Sequence, residues 1–375
     1  THRQSSAASD VYKRQLPPCR YLFQVDYFDP HAEMAKSYQL SYYPETCEVE
    51  MYDIKNRRMF LKRCKYEDLQ ADQLYLGSTI TVYGRQLKLV DYGDDFTRNS
   101  LASNSERTIA VVPPAGMPHL GKITNAIVRS RFIISEMRMV QLSTAEAEDF
   151  AGGDAGLAQS LVSGASSVLE IMGNNAIGSW LNLLGPPSNP KSLEAVFGVR
   201  CYGSADAAAA ARDRAFFFAA EGRNTGRVSS VGDRPTSLCL VKPHAMAAGY
   251  AGLVLDQVMG KFHVTALEMF NLDRANATEF YEVYKGVTPE YNAMVEELIS
   301  SPFLAIEVAD PDGGNPVEGL RALCGPADPE IARVLRGGSL RAQFGQDKVK
   351  NGVHCTDLPE DGSLECEFFF SILCS

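Results

Sequence analysis

Near the C-terminal end of the chain, His354 stands three residues after Asn351 and eleven before Glu365, with Arg321 and Arg341 preceding it. Much further upstream, Lys242 directly follows the apolar run Ser237-Leu238-Cys239-Leu240-Val241. An imidazole is a usable nucleophile near neutral pH. Guanidinium and ammonium groups stabilise negative charge that builds up on a group in transfer. Taken singly, each residue says little. A lysine after a strand is common, and a lone histidine reads as a buried side chain satisfied by a carbonyl. The combination is what carries meaning.

Together these residues resemble the nucleoside diphosphate kinases, and the resemblance covers the whole of 236–370. In that family the strand-end lysine precedes a proline, as Lys242 precedes Pro243 here. The family signature is N-x-x-H-G-S-D-S, with a glutamate eleven residues after the histidine; Asn351, His354 and Glu365 fit it. Arg321 stands four residues before Gly325, and Arg341 follows Gly338-Ser339-Leu340, as two phosphate-binding arginines do in the family. The resemblance implies that His354 takes the γ-phosphoryl of ATP or another nucleoside triphosphate and passes it to a diphosphate. It implies that Glu365 holds the ring by its other nitrogen. Arg321, Arg341, Lys242 and the Mg²⁺ carried by the nucleotide would stabilise the developing charge. Lys242 and Asn351 would contact ribose hydroxyl and phosphate oxygen, Tyr281 would brace the phosphoryl position, and the protein itself would supply no metal ligand. Two departures stand out. Cys355-Thr356-Asp357-Leu358 replaces Gly-Ser-Asp-Ser, with Cys355 expected to crowd the nucleophile, and the base-stacking phenylalanine has no match. Slower turnover and looser nucleotide binding are expected.

The elements that would position this set occur twice. Thr108-Ile109-Ala110-Val111-Val112-Pro113-Pro114 aligns with Ser237-Leu238-Cys239-Leu240-Val241-Lys242-Pro243, and Phe132–Phe150 answers Phe262–Phe280. Leu184-Gly185-Pro186 answers Cys324-Gly325-Pro326, and both copies close on three phenylalanines, 216–218 and 368–370. Each copy reads as strand, helix, strand, strand, helix, strand, an order that predicts an α+β sandwich of the ferredoxin-like type. The first copy has lost its chemistry. Pro113 takes the lysine position, Ala151 the tyrosine, Leu181 and Glu194 the arginines, and Tyr202-Gly203-Ser204 the histidine's place. Glu194 would repel a phosphate, and a phenol cannot carry this phosphoryl near neutral pH. Two fused, unequal copies are expected to pair within one chain.

Before the copies, short period-two runs such as Tyr21–Val25, Gln39–Tyr43, Val49–Met51, Ile80–Tyr83 and Leu87–Val90, broken by turn residues, predict a small antiparallel β domain. The stretches Tyr21–Asp29, Val49–Lys55, Phe60–Arg63 and Gly84–Asp94 resemble a DM10 domain, a β-rich, PH-like module of ciliary proteins. The predicted division is a disordered leader at 1–18, the DM10-like domain at 19–106, the degenerate kinase copy at 107–220, a Gly/Ser/Arg/Asn-rich linker at 221–235 and the second kinase copy at 236–375. That order resembles the type-7 nucleoside diphosphate kinases. It implies a protein of the cytoplasm and cytoskeleton, located in the ciliary or flagellar axoneme. The implied partners are tubulin of the doublet microtubule, neighbouring axonemal proteins and the γ-tubulin ring complex. The alternative is a purely structural microtubule-binding pseudo-kinase that holds nucleotide without turnover.

Composition narrows the field. A net charge of −10 argues against groove binding of nucleic acid, which needs a basic face. With 375 residues the chain exceeds one ordinary core, and no apolar run approaches a membrane span. Nine cysteines, without a C-x-x-C pair, suggest buried thiols in a reducing compartment rather than a disulfide or zinc framework.

Overall fold

The protein is seen in a computed structural model that describes residues 19–29, 32, 34–67, 69, 71–101, 106–218 and 226–374. The expected leader at 1–18 and the first part of the expected linker, 221–225, lie outside these. Among the described residues no helix is long and apolar enough to cross a membrane, and all nine cysteines are free thiols.

The N-terminal β-rich module is one antiparallel sheet of six strands: β1 (Tyr21–Asp29), β2 (Met34–Tyr43), β3 (Glu48–Asp53), β4 (Arg58–Lys65), β5 (Thr79–Val82) and β6 (Arg85–Tyr92). Their spatial order is β4-β3-β2-β1-β6-β5. Alternation does the folding: Phe23, Val25, Leu40, Val49, Met51, Leu87 and Leu89 point to one buried face. β5 and β6 are joined by Tyr83-Gly84, both at positive φ, the two-residue turn that matches strand twist. Helix Asp95–Leu101 closes the module and was not foreseen.

The two copies follow as β7 (Glu106–Val112), β8 (Ile133–Val140), β9 (Ser166–Gly173) and β10 (Tyr202–Gly203), then β11 (Ser237–Val241), β12 (His263–Phe270), β13 (Phe303–Ala309) and β14 (Val353–Cys355). Each has the ferredoxin-like strand order, and the two sheets are continuous: β10-β7-β9-β8-β12-β13-β11-β14. β8 meets β12 at the centre, where Arg138 pairs with Glu268 both in backbone register and through a 2.7 Å ion pair. Arg227, from the expected linker, adds a second guanidinium to Glu268 at 2.8 Å. The predicted pairing within one chain is what the structure has.

On one face of this sheet, helix Leu120–Arg129 lies against helix Ala251–Met259, and a single hydrophobic core runs from Ala110 in the first copy to Cys355 in the second. The helices touch backbone to backbone. A Cβ on Gly121 would lie 2.4 Å from the Asp256 nitrogen, and one on Gly252 would lie 2.4 Å from the Asn125 nitrogen. Only glycine permits that approach. The β module rests on both copies: the Thr81 hydroxyl donates to the Ile299 carbonyl, the Gln86 amide to the Leu272 carbonyl, and Arg107 to the Leu76 carbonyl.

Candidate functional site

β14 brings His354 to the edge of the sheet. It pairs with β11 so that His354 lies opposite Leu240 and Val353 opposite Val241, the residue just before Lys242. The next side chain on β14 turns the other way. His354 therefore faces the helical hairpin of Arg274–Phe280 and Tyr291–Leu298, while Cys355 faces the inter-helix core. Phe280 packs edge-on against the imidazole at 5.2 Å between ring centres, and Tyr281 lies at 6.0 Å.

The ring is held from one side. His354 Nε2 lies 3.1 Å from Glu365 Oε2, and the Thr356 hydroxyl donates to the same oxygen at 2.9 Å. Thr356 Oγ1 in turn accepts the Leu238 N–H. A carboxylate on Nε2 fixes the proton there and leaves the Nδ1 lone pair available, with no hydrogen-bond partner among the described residues. This is an imidazole prepared to attack through Nδ1.

The other predicted site residues all converge on segment 349–357. Lys242 Nζ donates to the Val349 carbonyl at 2.8 Å, and the Lys242 backbone N–H to the Gly352 carbonyl at 3.0 Å. Asn351 Nδ2 donates to the Ala327 carbonyl at 3.0 Å, and its buried Oδ1 has no partner among the described residues. Arg341 reaches the carbonyls of Val353 and Gly325 at 3.1 and 2.8 Å and the Cys355 sulfur at 3.6 Å. Arg321 donates to the Asp357 carbonyl at 2.6 Å from an exposed position. Tyr281 is fully buried, and its hydroxyl has no partner among the described residues. Burial, and then the neighbouring Arg341 charge, push the Lys242 ammonium down to about 8. A buried lysine beside a buried arginine is a site that an anion would relieve.

Cys355 is a correction. It was expected to crowd the nucleophile, but strand alternation turns its thiol into the core with Cys239 and Cys324. Hydrogen bonding with Cys324, with burial added, pushes that thiol well up, so it is a packed neutral group rather than an obstacle. Tyr284 was also missed. Its hydroxyl donates to Asp357 at 2.6 Å and ties the helical hairpin to the segment after His354.

In the first copy, Tyr202 lies opposite Val111 on β7, the position that Leu240 holds for His354 on β11. Phe150 packs on its ring at 5.0 Å, as Phe280 does on His354. Asp213, eleven residues on and fully buried, accepts the Tyr202 hydroxyl at 2.7 Å and the Ser204 hydroxyl at 2.8 Å. Asp213 was not foreseen, although its spacing from Tyr202 equals that of Glu365 from His354. The phenol is pushed far above its ordinary value by burial and by Asp213.

Comparison with known proteins gives a consistent pattern. Residues 17–103 match the family described as nucleoside diphosphate kinase 7 N-terminal PH domain, and residues 106–222 and 235–372 match the family described as nucleoside diphosphate kinase. Nucleoside diphosphate kinase homolog 7 of Rattus norvegicus is 43% identical over 373 residues, covering 94% of this chain and 93% of its own. The Mus musculus protein of the same description is 43% identical over 390 residues, covering 99% and 98%. The nucleoside diphosphate kinase of Aquifex aeolicus (strain VF5) is 38% identical over 136 residues, which is 36% of this chain and 93% of that protein.

Proposed function

Because the chain belongs to the nucleoside diphosphate kinase family, we propose that its second copy transfers phosphoryl groups between nucleotides through His354, while the first copy serves structure alone. His354 Nδ1 attacks the γ-phosphorus of Mg-bound ATP or another nucleoside triphosphate. The bond to the bridging β,γ-oxygen breaks, and the nucleoside diphosphate leaves with that electron pair. A second diphosphate then takes the phosphoryl from the nitrogen. Glu365 keeps the proton on Nε2 and offsets the positive charge of the phosphorylated ring. Lys242, Arg321, Arg341 and Asn351 supply cationic and amide donors suited to phosphate oxygens, and Mg²⁺ enters as part of the nucleotide substrate.

The observation that carries this reading is the one-sided hold on His354: Nε2 on Glu365 at 3.1 Å, Nδ1 open, and four phosphate-binding candidates gathered on the segment around it. The test is incubation with Mg²⁺ and γ-labelled ATP. The protein should gain a label lost in acid and kept in alkali, and should pass it to GDP; His354→Ala should abolish it. Wild-type protein that binds nucleotide and takes no label would sink the proposal. It would leave the second reading, a pseudo-kinase with nucleotide as a structural ligand. One feature favours that alternative: Arg341 is only 9% exposed and its guanidinium is already committed to two carbonyls.

We further infer that the protein works in the ciliary or flagellar axoneme, anchored to tubulin of the doublet microtubule and associated with the γ-tubulin ring complex. The resemblance of the N-terminal module supports this, and so does its edge. The terminal strand β4 and the turn before it carry Arg57, Arg58, Lys62, Arg63 and Lys65 in exposed positions on an otherwise acidic chain. Such an edge suits an acidic protein surface. Arg58→Glu with Lys62→Glu should reduce co-sedimentation with microtubules; unchanged co-sedimentation would place the anchor elsewhere.

A further inference from the structure

Immediately after Lys242-Pro243 stands a second buried histidine to which the phosphotransfer scheme gives no role. His244 lies in the first turn of helix Pro243–Ala247 and faces Glu297 on helix Tyr291–Leu298. Nδ1 is 2.6 Å from Glu297 Oε1, and the His244 backbone N–H donates to the same oxygen at 3.1 Å. The two side chains are 7% and 5% exposed. A carboxylate so buried is costly unless it is firmly paired, and this one is paired through the histidine.

The far side of the ring does something else. Nε2 accepts the N–H of Gly352 at 3.1 Å. That contact fixes the tautomer: the proton sits on Nδ1 toward Glu297, and the Nε2 lone pair meets the peptide. Gly352 has a φ of +86°, a conformation that favours glycine, and its carbonyl accepts the Lys242 N–H. It lies between Asn351 and Val353, two residues before His354. His244 therefore grips the turn that delivers both Asn351 and the nucleophile. In the copy without a nucleophile, the residue aligned with His244 is Ala115, so the grip is absent there.

The chain of contacts continues outward. Ile299, which caps the helix that carries Glu297, gives its carbonyl to the Thr81 hydroxyl of β5. We infer that Glu297 and His244 are positioning residues that set the register of Asn351 and His354, and that the N-terminal module, through Thr81, holds the helix on which this pair depends. The inference rests on the phosphotransfer reading for its kinetic consequence and not for its structural one.

Three variants of the full chain test it. His244→Leu keeps the bulk and removes both hydrogen bonds. His244→Gln places an amide oxygen where Nε2 was. In ATP-to-GDP transfer, His244→Leu should lower kcat by about ten- to a hundred-fold, the scale of a misplaced reacting group, with KM within about twofold. His244→Gln should recover most of the loss, and Thr81→Val should lower kcat by about two- to threefold. Equal losses in the Leu and Gln variants, or a loss confined to KM, would overturn the positioning role; an unchanged rate in Thr81→Val would remove the module from the chain. Hydrogen exchange of the backbone amides of 346–355, measured without nucleotide, separates this from the activity itself. His244→Leu should speed exchange there and His244→Gln should restore protection, even if the wild-type protein takes no phosphoryl label. Unaltered exchange in His244→Leu overturns the inference, whereas an unlabelled wild type with altered exchange overturns only the phosphotransfer reading.

Discussion

The two kinase copies share a bracing device and differ in what it braces. In the second, Glu365 holds His354 and Thr356; in the first, Asp213 holds Tyr202 and Ser204. The strand register is equivalent, the packed phenylalanine is equivalent, and the hydroxyl two residues on also accepts a backbone N–H from the neighbouring strand in both. The brace is present whether the braced side chain is a histidine or a tyrosine. It ties the last strand to the helix that follows, a structural task independent of catalysis. At the positions aligned with Lys242, Arg321 and Arg341, the first copy has Pro113, Leu181 and Glu194.

Exchanging the two nucleophile positions strains this comparison most. His354→Tyr should leave the fold intact and lower phosphoryl labelling by about a thousandfold or more, since a phenol cannot replace the imidazole. Tyr202→His should gain no label, because the pocket around it stays wrong. A labelled first copy in that variant, detected by peptide mapping, would show the brace alone to be sufficient.

The braces themselves should diverge next. Asp213→Ala strands the buried Ser204 hydroxyl and the half-buried Tyr202 hydroxyl and should destabilise the first copy by about 2 kcal/mol in urea denaturation, with the labelling rate at His354 changed less than twofold. A large fall in rate would mean that the first copy does more than support.

Lys242 provides a pH test with no counterpart at Pro113. Its ammonium is pushed down to about 8, and phosphate binding favours the charged form. Nucleotide affinity should therefore hold below pH 8 and fall by about tenfold between pH 7 and 9, with proton uptake on binding. Calorimetry in buffers of different ionisation enthalpy would detect the proton. Lys242→Met should flatten the profile, and a flat wild-type profile would remove Lys242 from the phosphate site.

The smallest expected effect is at Cys355. Cys355→Gly was attractive on sequence because glycine stands beside the histidine in the family. With the thiol packed on Arg341 and away from His354, the variant should change the rate by no more than about twofold upward and should cost stability by leaving a void. A several-fold acceleration would restore crowding as the cause of slow turnover.

What could be read in advance follows the locality of the signal. Five of the six strands of the β module were legible from period-two runs, and the longer strands of the copies from apolar segments; β4 and the short strands β10 and β14 were not. His354 and Glu365 were legible from spacing, and Asp213 would have been too, had the same interval been applied to the first copy. Cys355 was misread because adjacency in sequence was taken for adjacency in space, whereas a strand sends neighbours to opposite faces. Gly121, Gly252 and the Glu297–His244–Gly352 linkage were not legible. Each depends on residues that only the folded chain brings together, and one glycine or one histidine carries no periodic mark.

The meeting of β8 with β12 has a consequence for dilution. Two separate subunits joined at that edge would part as their concentration fell, leaving unpaired strand backbone on each. Here the partner is on the same polypeptide, so the local concentration of one copy around the other stays near the millimolar range typical of short tethers, however little protein the cell contains. Through Arg138 and the pairing of β8 with β12, the first copy thus keeps the second copy's edge covered at any abundance.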